Sequence, residues 1–314
     1  MAAVSRWWTF AYDTKQGNNA EGGEEILMKA ILPGMRTFGV DGFVIALVVL
    51  LYPFGAAAVS YGAAVQRSST VPAGYQLTFD DEFASLNLSD QNGTGAKWYT
   101  HTVQCCLYDS SNPSTPTYMA GVRAPAGQNP YSLVSGGLDI RLQKTNGAWY
   151  SGVLATVDSN GRGFAQQYGY FEMKAKFPAG LGTWPAFWLL NQAALTSHAP
   201  AGEIDVVESY MQFPTYINTT LHDWTPPATT PGYKQAAVAD LSSGFHTFGM
   251  LWTATAITIY CDGAMLYSFP TPAIMHQPYY PIVDLGLGGG WPTAQTPQRS
   301  DMIIQYVRAY APPS

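Results

Sequence analysis

From about residue 76 onward, short apolar runs recur between clusters of Gly, Pro, Asn and Ser. Several alternate with a period of two, as in Phe171-Glu172-Met173-Lys174-Ala175-Lys176-Phe177, the pattern of a strand with one wet face. The runs predict strands over 138–142, 168–177, 186–190, 204–207, 245–252, 256–260, 282–287 and 302–310. None carries the 3.6-residue spacing of a long amphipathic helix, so the pattern predicts an all-β chain folded as a sandwich of two antiparallel sheets. Segments 108–132 and 223–235, rich in loop-forming residues, read as long loops of the kind that border a binding cleft.

One apolar run breaks the pattern. Residues 203–208 read Glu-Ile-Asp-Val-Val-Glu, three carboxylates inside a β-forming segment that ordinarily carries none. On a regular strand Glu203 and Asp205 share a face and Glu208 points to the other. A β-bulge at Val206-Val207 inserts the one residue that brings all three acids to one face, with Ile204 and one of the valines left for the core. Five steps at about 3.3 Å would put the glutamate backbones roughly 16 Å apart if extended, so the strand must curve for the side chains to converge. Acids at this density raise one another's pKa, because each negative charge opposes the next. Glycoside hydrolysis with retention uses such a split: one carboxylate as nucleophile and one carboxylic acid to protonate the leaving oxygen, about 5–5.5 Å apart. A solvated strand face or a cation site would use the same residue types, and the six residues alone leave those readings open.

The beginning of the chain differs from the rest. From Gly42 to Gln66 no residue is charged, and Phe43 to Tyr52 form a dense apolar stretch preceded by Lys29 and Arg36. It reads as a secretory signal cleaved near Ala56-Ala57-Ala58 or Gly62-Ala63-Ala64, with Met28 or Met35 a more natural start than Met1. An uncleaved anchor is the alternative, since the stretch can cross about 30 Å of hydrocarbon as a helix. Residues 1–66 are accordingly read as an extension with signal peptide or anchor, 67–76 as a linker and 77–314 as one catalytic domain acting outside the cytoplasm. Beyond Ala58, 11 Lys and Arg face 16 Asp and Glu, which argues against nucleic acid and anionic membrane and favours a neutral polymer as partner. A membrane enters only through an uncleaved anchor, and a monomer is expected. Cys105, Cys106 and Cys261 show no metal-ligand spacing; one disulfide from the adjacent pair to Cys261 is compatible with an oxidising compartment.

From about residue 75 to the C-terminus the chain resembles glycoside hydrolase family 16. The resemblance rests on Phe79-Asp80-Asp81-Glu82-Phe83, Tyr168-Gly169-Tyr170-Phe171-Glu172, Gly182-Thr183-Trp184-Pro185-Ala186-Phe187-Trp188-Leu189-Leu190, the acidic run, Phe245-His246-Thr247-Phe248, Asp262-Gly263, Gly288-Gly289-Gly290-Trp291-Pro292 and Tyr306-Val307-Arg308-Ala309-Tyr310, in this order. It implies a β-jelly-roll sandwich with a concave substrate cleft and endo-acting, retaining hydrolysis of β-linked polysaccharide. It also implies Glu203 as nucleophile, Asp205 as the residue that orients and tunes it, and Glu208 as acid/base. The bulged acidic run is similar to laminarinase-like members, which points to β-1,3- or mixed β-1,3/1,4-glucan. Residues 161–177 are similar to bacterial members that trim secreted exopolysaccharide, so a depolymerase of such a polymer stays open, as does transglycosylation. Binding-only relatives usually lose one or both glutamates, and both are present here. Many members hold a structural calcium through an aspartate at the position of Gln305; an amide is a weaker ligand for a hard cation, so no cofactor or metal is assigned and calcium is left as an alternative.

Sugar rings present apolar C–H faces, so aromatic platforms accompany the acids in a polysaccharide cleft. Trp184 and Trp291 are read as cleft residues, Trp188 as shared between cleft and core, and Trp252 as core. His222, on the run after the acidic one, is a candidate for a hydrogen bond to sugar or carboxylate. Glu172 is either a cleft hydrogen-bonder or part of a solvated face. Asp80, Asp81, Glu82 and His246 read as structural.

Overall fold

The computed structural model describes residues 70–100, 117–119 and 121–313, of which 117–119 are backbone only. Each strand-forming run named above is a strand in it, and helix is confined to single turns at Ala193–Thr196 and Ala273–Met275. The expectations placed on residues 1–66, on the start of the linker and on Cys105 and Cys106 lie outside the described residues. Among the described residues no helix is long and apolar enough to cross a membrane.

The strands form two sheets that pair almost entirely antiparallel. The acid-bearing sheet has eight strands, ordered from one edge as Thr229–Ala237, Tyr216–Asp223, Gly202–Glu208, Thr183–Asn191, Tyr279–Leu287, Val153–Ala155, Trp98–Tyr99 and Leu88–Ser89. The other, here the scaffold sheet, has ten strands, with Gly169–Lys176 and Arg299–Ala311 near its centre. Alternation explains how they stack. Phe171, Met173 and Ala175 of one strand and Ile204, Phe187, Leu189, Val283 and Leu285 of the acid-bearing sheet all enter one buried core cluster. Burying each large side chain contributes about 1.5–3 kcal/mol, which favours this register over any one-residue slip.

Two segments depart from expectation. Residues 223–235, read as a loop because of Pro226, Pro227 and Pro231, include most of the Thr229–Ala237 strand. Pro231 is tolerated because the strand is the sheet edge and its pairing with Tyr216–Asp223 is irregular between Leu221 and Asp223. Residues 70–75, placed in the linker, pack on the outer face of the scaffold sheet: Val71 is buried with Tyr170 and Tyr310, and Tyr75 lies against them. Cys261 carries a free, buried thiol.

Candidate active site

The acidic strand Gly202–Glu208 is bulged where two valines meet. Against the neighbouring Tyr216–Asp223 strand, Glu203 pairs with His222, Asp205 with Thr220 and Glu208 with Asn218, so Val206 and Val207 together oppose Thr219. Against Thr183–Asn191 on the other side, Glu203 pairs with Leu190, Asp205 with Trp188 and Glu208 with Ala186. Both sets of partners advance in steps of two, which puts Glu203, Asp205 and Glu208 on one face. Ile204 and both valines are fully buried in the core, where one valine was expected. At the bulge the Thr219 hydroxyl donates to the Val206 carbonyl at 2.9 Å. The Tyr267 hydroxyl donates in turn to Thr219 Oγ1 at 2.9 Å, tying the bulge to the scaffold sheet.

Each glutamate receives an indole N–H. Trp224 Nε1 donates to Glu203 Oε2 at 3.0 Å, and Trp184 Nε1 donates to Glu208 Oε1 at 3.1 Å. Thr220 Oγ1 is 3.5 Å from the other oxygen of Glu208. His222 Nε2 lies 3.2 Å from Asp205 Oδ2 and 4.0 Å from Glu203 Oε1, and its ring stacks on Trp224 with centroids 4.8 Å apart. The His222 contact with Asp205 is close without being aligned for a hydrogen bond, so Asp205 Oδ2 is buried and accepts none.

A fourth acid joins them. Asp284, on Tyr279–Leu287, is only 4% exposed, and its Oδ1 accepts the Trp188 indole N–H at 2.8 Å. No lysine or arginine pairs with any of the four carboxyls among the described residues. Burial first, and then the neighbouring negative charges, push all four upward: Glu203 to about 8, Glu208 to about 7, Asp284 to about 7 and Asp205 well above the carboxylate range. His222 and the indole donors of Trp224 and Trp184 act in the opposite direction on the two glutamates. Near neutrality the cluster therefore holds both carboxylic acid and carboxylate, the combination that acid-assisted nucleophilic chemistry requires.

Of the predicted substrate contacts, Trp184 and His222 reach the acids directly. Trp188 is 6% exposed and belongs to an apolar cluster with Ala186, Ile282 and Val153, so it supports the site from within that cluster. Trp291 is 41% exposed and connects to the site only through other rings. Trp184 stacks on Tyr210 at 5.9 Å, Tyr210 lies 6.2 Å from Trp291, and Phe213 meets Trp291 edge-on at 4.9 Å. Gly289 permits this approach: its φ is +56°, and a Cβ there would lie 2.6 Å from Tyr210 and 2.8 Å from Trp184.

Glu172 is neither in the cleft nor solvated. It is fully buried on the outer face of the scaffold sheet, accepting from the Tyr306 hydroxyl at 2.8 Å and the Tyr170 hydroxyl at 3.1 Å. Trp252 is fully buried in the core. Sequence reasoning missed Trp224, Tyr210 and Asp284, and with them Tyr233 and Gln235 of the edge strand, which both donate to Asn218 Oδ1 at 3.0 Å beside Glu208. A lone charge in the apolar run 279–287 was the available signal for Asp284. Trp224 follows directly on the His222 run, but the Pro226-Pro227 pair beyond it reads as loop.

Two side-chain groups have the composition of a metal site. Glu203, Asp205 and His222 place one ligand atom each within 4.8 Å of one another, as do His246, Cys261 and Asp262. In the second, His246 is engaged by Asp262 at 2.7 Å and by the Asp240 carbonyl at 3.1 Å, and burial pushes the Cys261 thiol up to about 12, away from the thiolate a metal needs. In the first, the raised carboxyl pKa values oppose cation binding near neutrality. Gln305 sits in a second bulge, at the register shift between Ile304 and Tyr306, and no group of three acidic, His or Cys side chains surrounds it among the described residues. That donor set is poor for calcium.

Comparison with known proteins decides the family, because the description "Glycosyl hydrolases family 16" matches residues 126–308. The chain belongs to glycosyl hydrolase family 16. An endo-1,3-1,4-beta-glycanase, EglC, of Rhizobium meliloti (strain 1021) is 38% identical over 249 residues, covering 74% of this chain and 51% of its own. ExsH of the same organism, also an endo-1,3-1,4-beta-glycanase, is 39% identical over 249 residues, with the same coverage of each. The chain thus spans about half the length of these relatives. The crystal structure of SCLam, a non-specific endo-beta-1,3(4)-glucanase of family 16, matches with a TM-score of 0.62 at 25% identity over 76% of this chain and 92% of that one. The jelly-roll sandwich of the family accounts for the two sheets, and the four acids share the face of one of them that points away from the main core cluster.

Proposed function

We propose that this chain is an extracytoplasmic, retaining endo-β-glycosidase acting on β-1,3- or mixed β-1,3/1,4-linked glucan. One observation carries the reading: the Val206–Val207 bulge delivers Glu203, Asp205 and Glu208 to a single face, each glutamate held by its own indole donor. Glu203 attacks the anomeric carbon while Glu208 protonates the departing oxygen. Glu208, now a carboxylate, then takes a proton from the water that hydrolyses the glycosyl-enzyme. Asp205 is the most enclosed of the three and lies in hydrogen-bond range of Glu203. The two carboxyls share a hydrogen bond, and Trp224 holds the other oxygen of Glu203, so the pair positions the nucleophile between Asp205 and the indole. The reaction calls for no cofactor.

The aromatic chain from Trp184 through Tyr210 to Trp291 begins at Glu208 and runs outward, so it supports the leaving-group side of the polymer. Trp224 and His222 flank Glu203 and support the sugar that is attacked. The names of EglC and ExsH favour mixed-linkage glycan over pure β-1,3-glucan among these substrates. Incubation with laminarin, lichenan, xyloglucan, agarose, carrageenan and bacterial exopolysaccharide tests the reading: new reducing ends are expected from lichenan or laminarin. Glu203→Gln and Glu208→Gln are each expected to lose about 10³-fold in kcat/KM while keeping the native melting transition. Release from none of the polymers, or more than about a tenth of the activity left in either variant, rejects it.

A further inference from the structure

Asp284 stands apart from the acidic strand in sequence yet faces the same site. Glu208 pairs with Ala186, and Ala186 pairs with Asp284 on its other side, so the three residues form one row across three strands. Directly paired residues of antiparallel strands point to the same face, and the middle residue is a methyl group, so no bulky side chain separates the two carboxyls. All nine positions of the Tyr279–Leu287 strand are buried, and Asp284 is its only charge. Val153, on the next strand, pairs with Asp284 and belongs with Ala186, Trp188 and Ile282 to the apolar cluster around it. An uncompensated carboxylate in such surroundings is costly, and nothing in the fold requires one: the Trp188 N–H would be satisfied by any acceptor.

We propose that Asp284 is a positioning residue of this site, fixing Trp188 beside Asp205 and giving Glu208 a third acidic neighbour, and that it thereby sets the upper pH limit of the reaction. This rests on Glu208 being the acid. As pH rises, Asp284 ionises, and its charge makes loss of the Glu208 proton less favourable. The other titratable groups facing this pair are Glu203 and Asp205 on the acidic strand and His222 on the strand beyond it. Tyr233 faces Glu208 from the edge strand, and Tyr131 lies within electrostatic reach of Asp284 with its hydroxyl donating to the Val153 carbonyl. No lysine or arginine pairs with either carboxyl among the described residues, so no permanent cation cancels the effect.

Two strand spacings, about 9.6 Å, at an effective dielectric of about 20 correspond to a shift of about one pH unit in Glu208. Asp284→Asn removes the charge and keeps the shape and the acceptor for Trp188. The alkaline limb of kcat/KM is expected to move about one unit toward acid, so that activity falls about tenfold at pH 8.5 and stays within about twofold at pH 5.5. Asp284→Glu restores the charge and is expected to return the limb toward its wild-type position. An unmoved limb in a folded Asp284→Asn protein, or a uniform loss across pH, overturns the inference. Glu208→Gln measured alongside keeps the two levels separate: an active Glu208→Gln protein sinks the proposed function, whereas an inactive one with an unmoved Asp284→Asn limb sinks only the role of Asp284.

Discussion

Two sets of clustered acids, one on each sheet, are treated in opposite ways. On the outer face of the scaffold sheet, Asp80 and Glu82 share Arg308, whose guanidinium is 4% exposed and lies 4.0 Å from the centre of the Tyr306 ring. Glu172 beside them is capped by two tyrosine hydroxyls. On the acid-bearing sheet, four carboxyls face one another with indoles, a threonine and a histidine, and no guanidinium or ammonium among the described residues. A carboxylate beside arginine is fixed as an anion, which suits a scaffold. A carboxyl crowded by other carboxyls exchanges its proton near neutral pH, which suits acid/base chemistry and destabilises the fold as pH rises.

The comparison breaks most completely at the bulge. Inserting one alanine between Val207 and Glu208 advances the alternation by one step and turns Glu208 toward the core. Catalytic loss of at least about 10³-fold is expected, together with more than about 3 kcal/mol of destabilisation in a denaturant titration, because a carboxyl would enter an apolar interior. Activity close to wild type in this variant would show that the shared face is unnecessary. On the scaffold side, Arg308→Met is expected to cost about 2 kcal/mol of stability, a value discounted for the partly exposed Asp80 and Glu82, with kcat/KM of the folded protein unchanged.

The pH response sharpens the contrast. Glu208 is pushed to about 7 in the fold against an ordinary 4.5, so the folded protein holds its proton more tightly than the unfolded chain. That contribution is fully present below about pH 4.5 and is lost as pH rises through 7. Glu208→Gln is neutral at every pH. It is therefore expected to match wild type near pH 4 and to be more stable by about 2 kcal/mol at pH 8, as read from melting or denaturant curves. Equal stabilisation at both values would mean that packing, and not charge, is responsible. The smallest effect is expected at the rim: Trp291→Ala raises KM for long glucans by about three- to tenfold and leaves kcat unchanged, the loss of one stacking platform.

Much of this was legible from residue order. Three acids in a β-forming run demanded a bulge, and period-two alternation located the strands of both sheets. The misreadings have physical causes. Pro231 marked a loop, yet an edge strand has no second partner to lose. Glu172 alternates with apolar residues as a wet-face residue does, but Tyr170, Tyr306 and the segment from Thr70 to Tyr75 cover that face. Asp284 was hidden because its contribution depends on Ala186 lying between it and Glu208, a relation across strands that a single run of sequence does not carry.

The central claim is that Glu203 forms a covalent bond to the sugar while Glu208 supplies the proton. Mass spectrometry of proteolytic peptides after incubation with a 2-deoxy-2-fluoro-β-laminaribiosyl fluoride tests it most directly, since the fluorine slows breakdown of the glycosyl-enzyme. One added disaccharide on Glu203 is the expected result. The same mass on Glu208, or no adduct from a protein that turns over glucan and releases the inverted anomer, would contradict it.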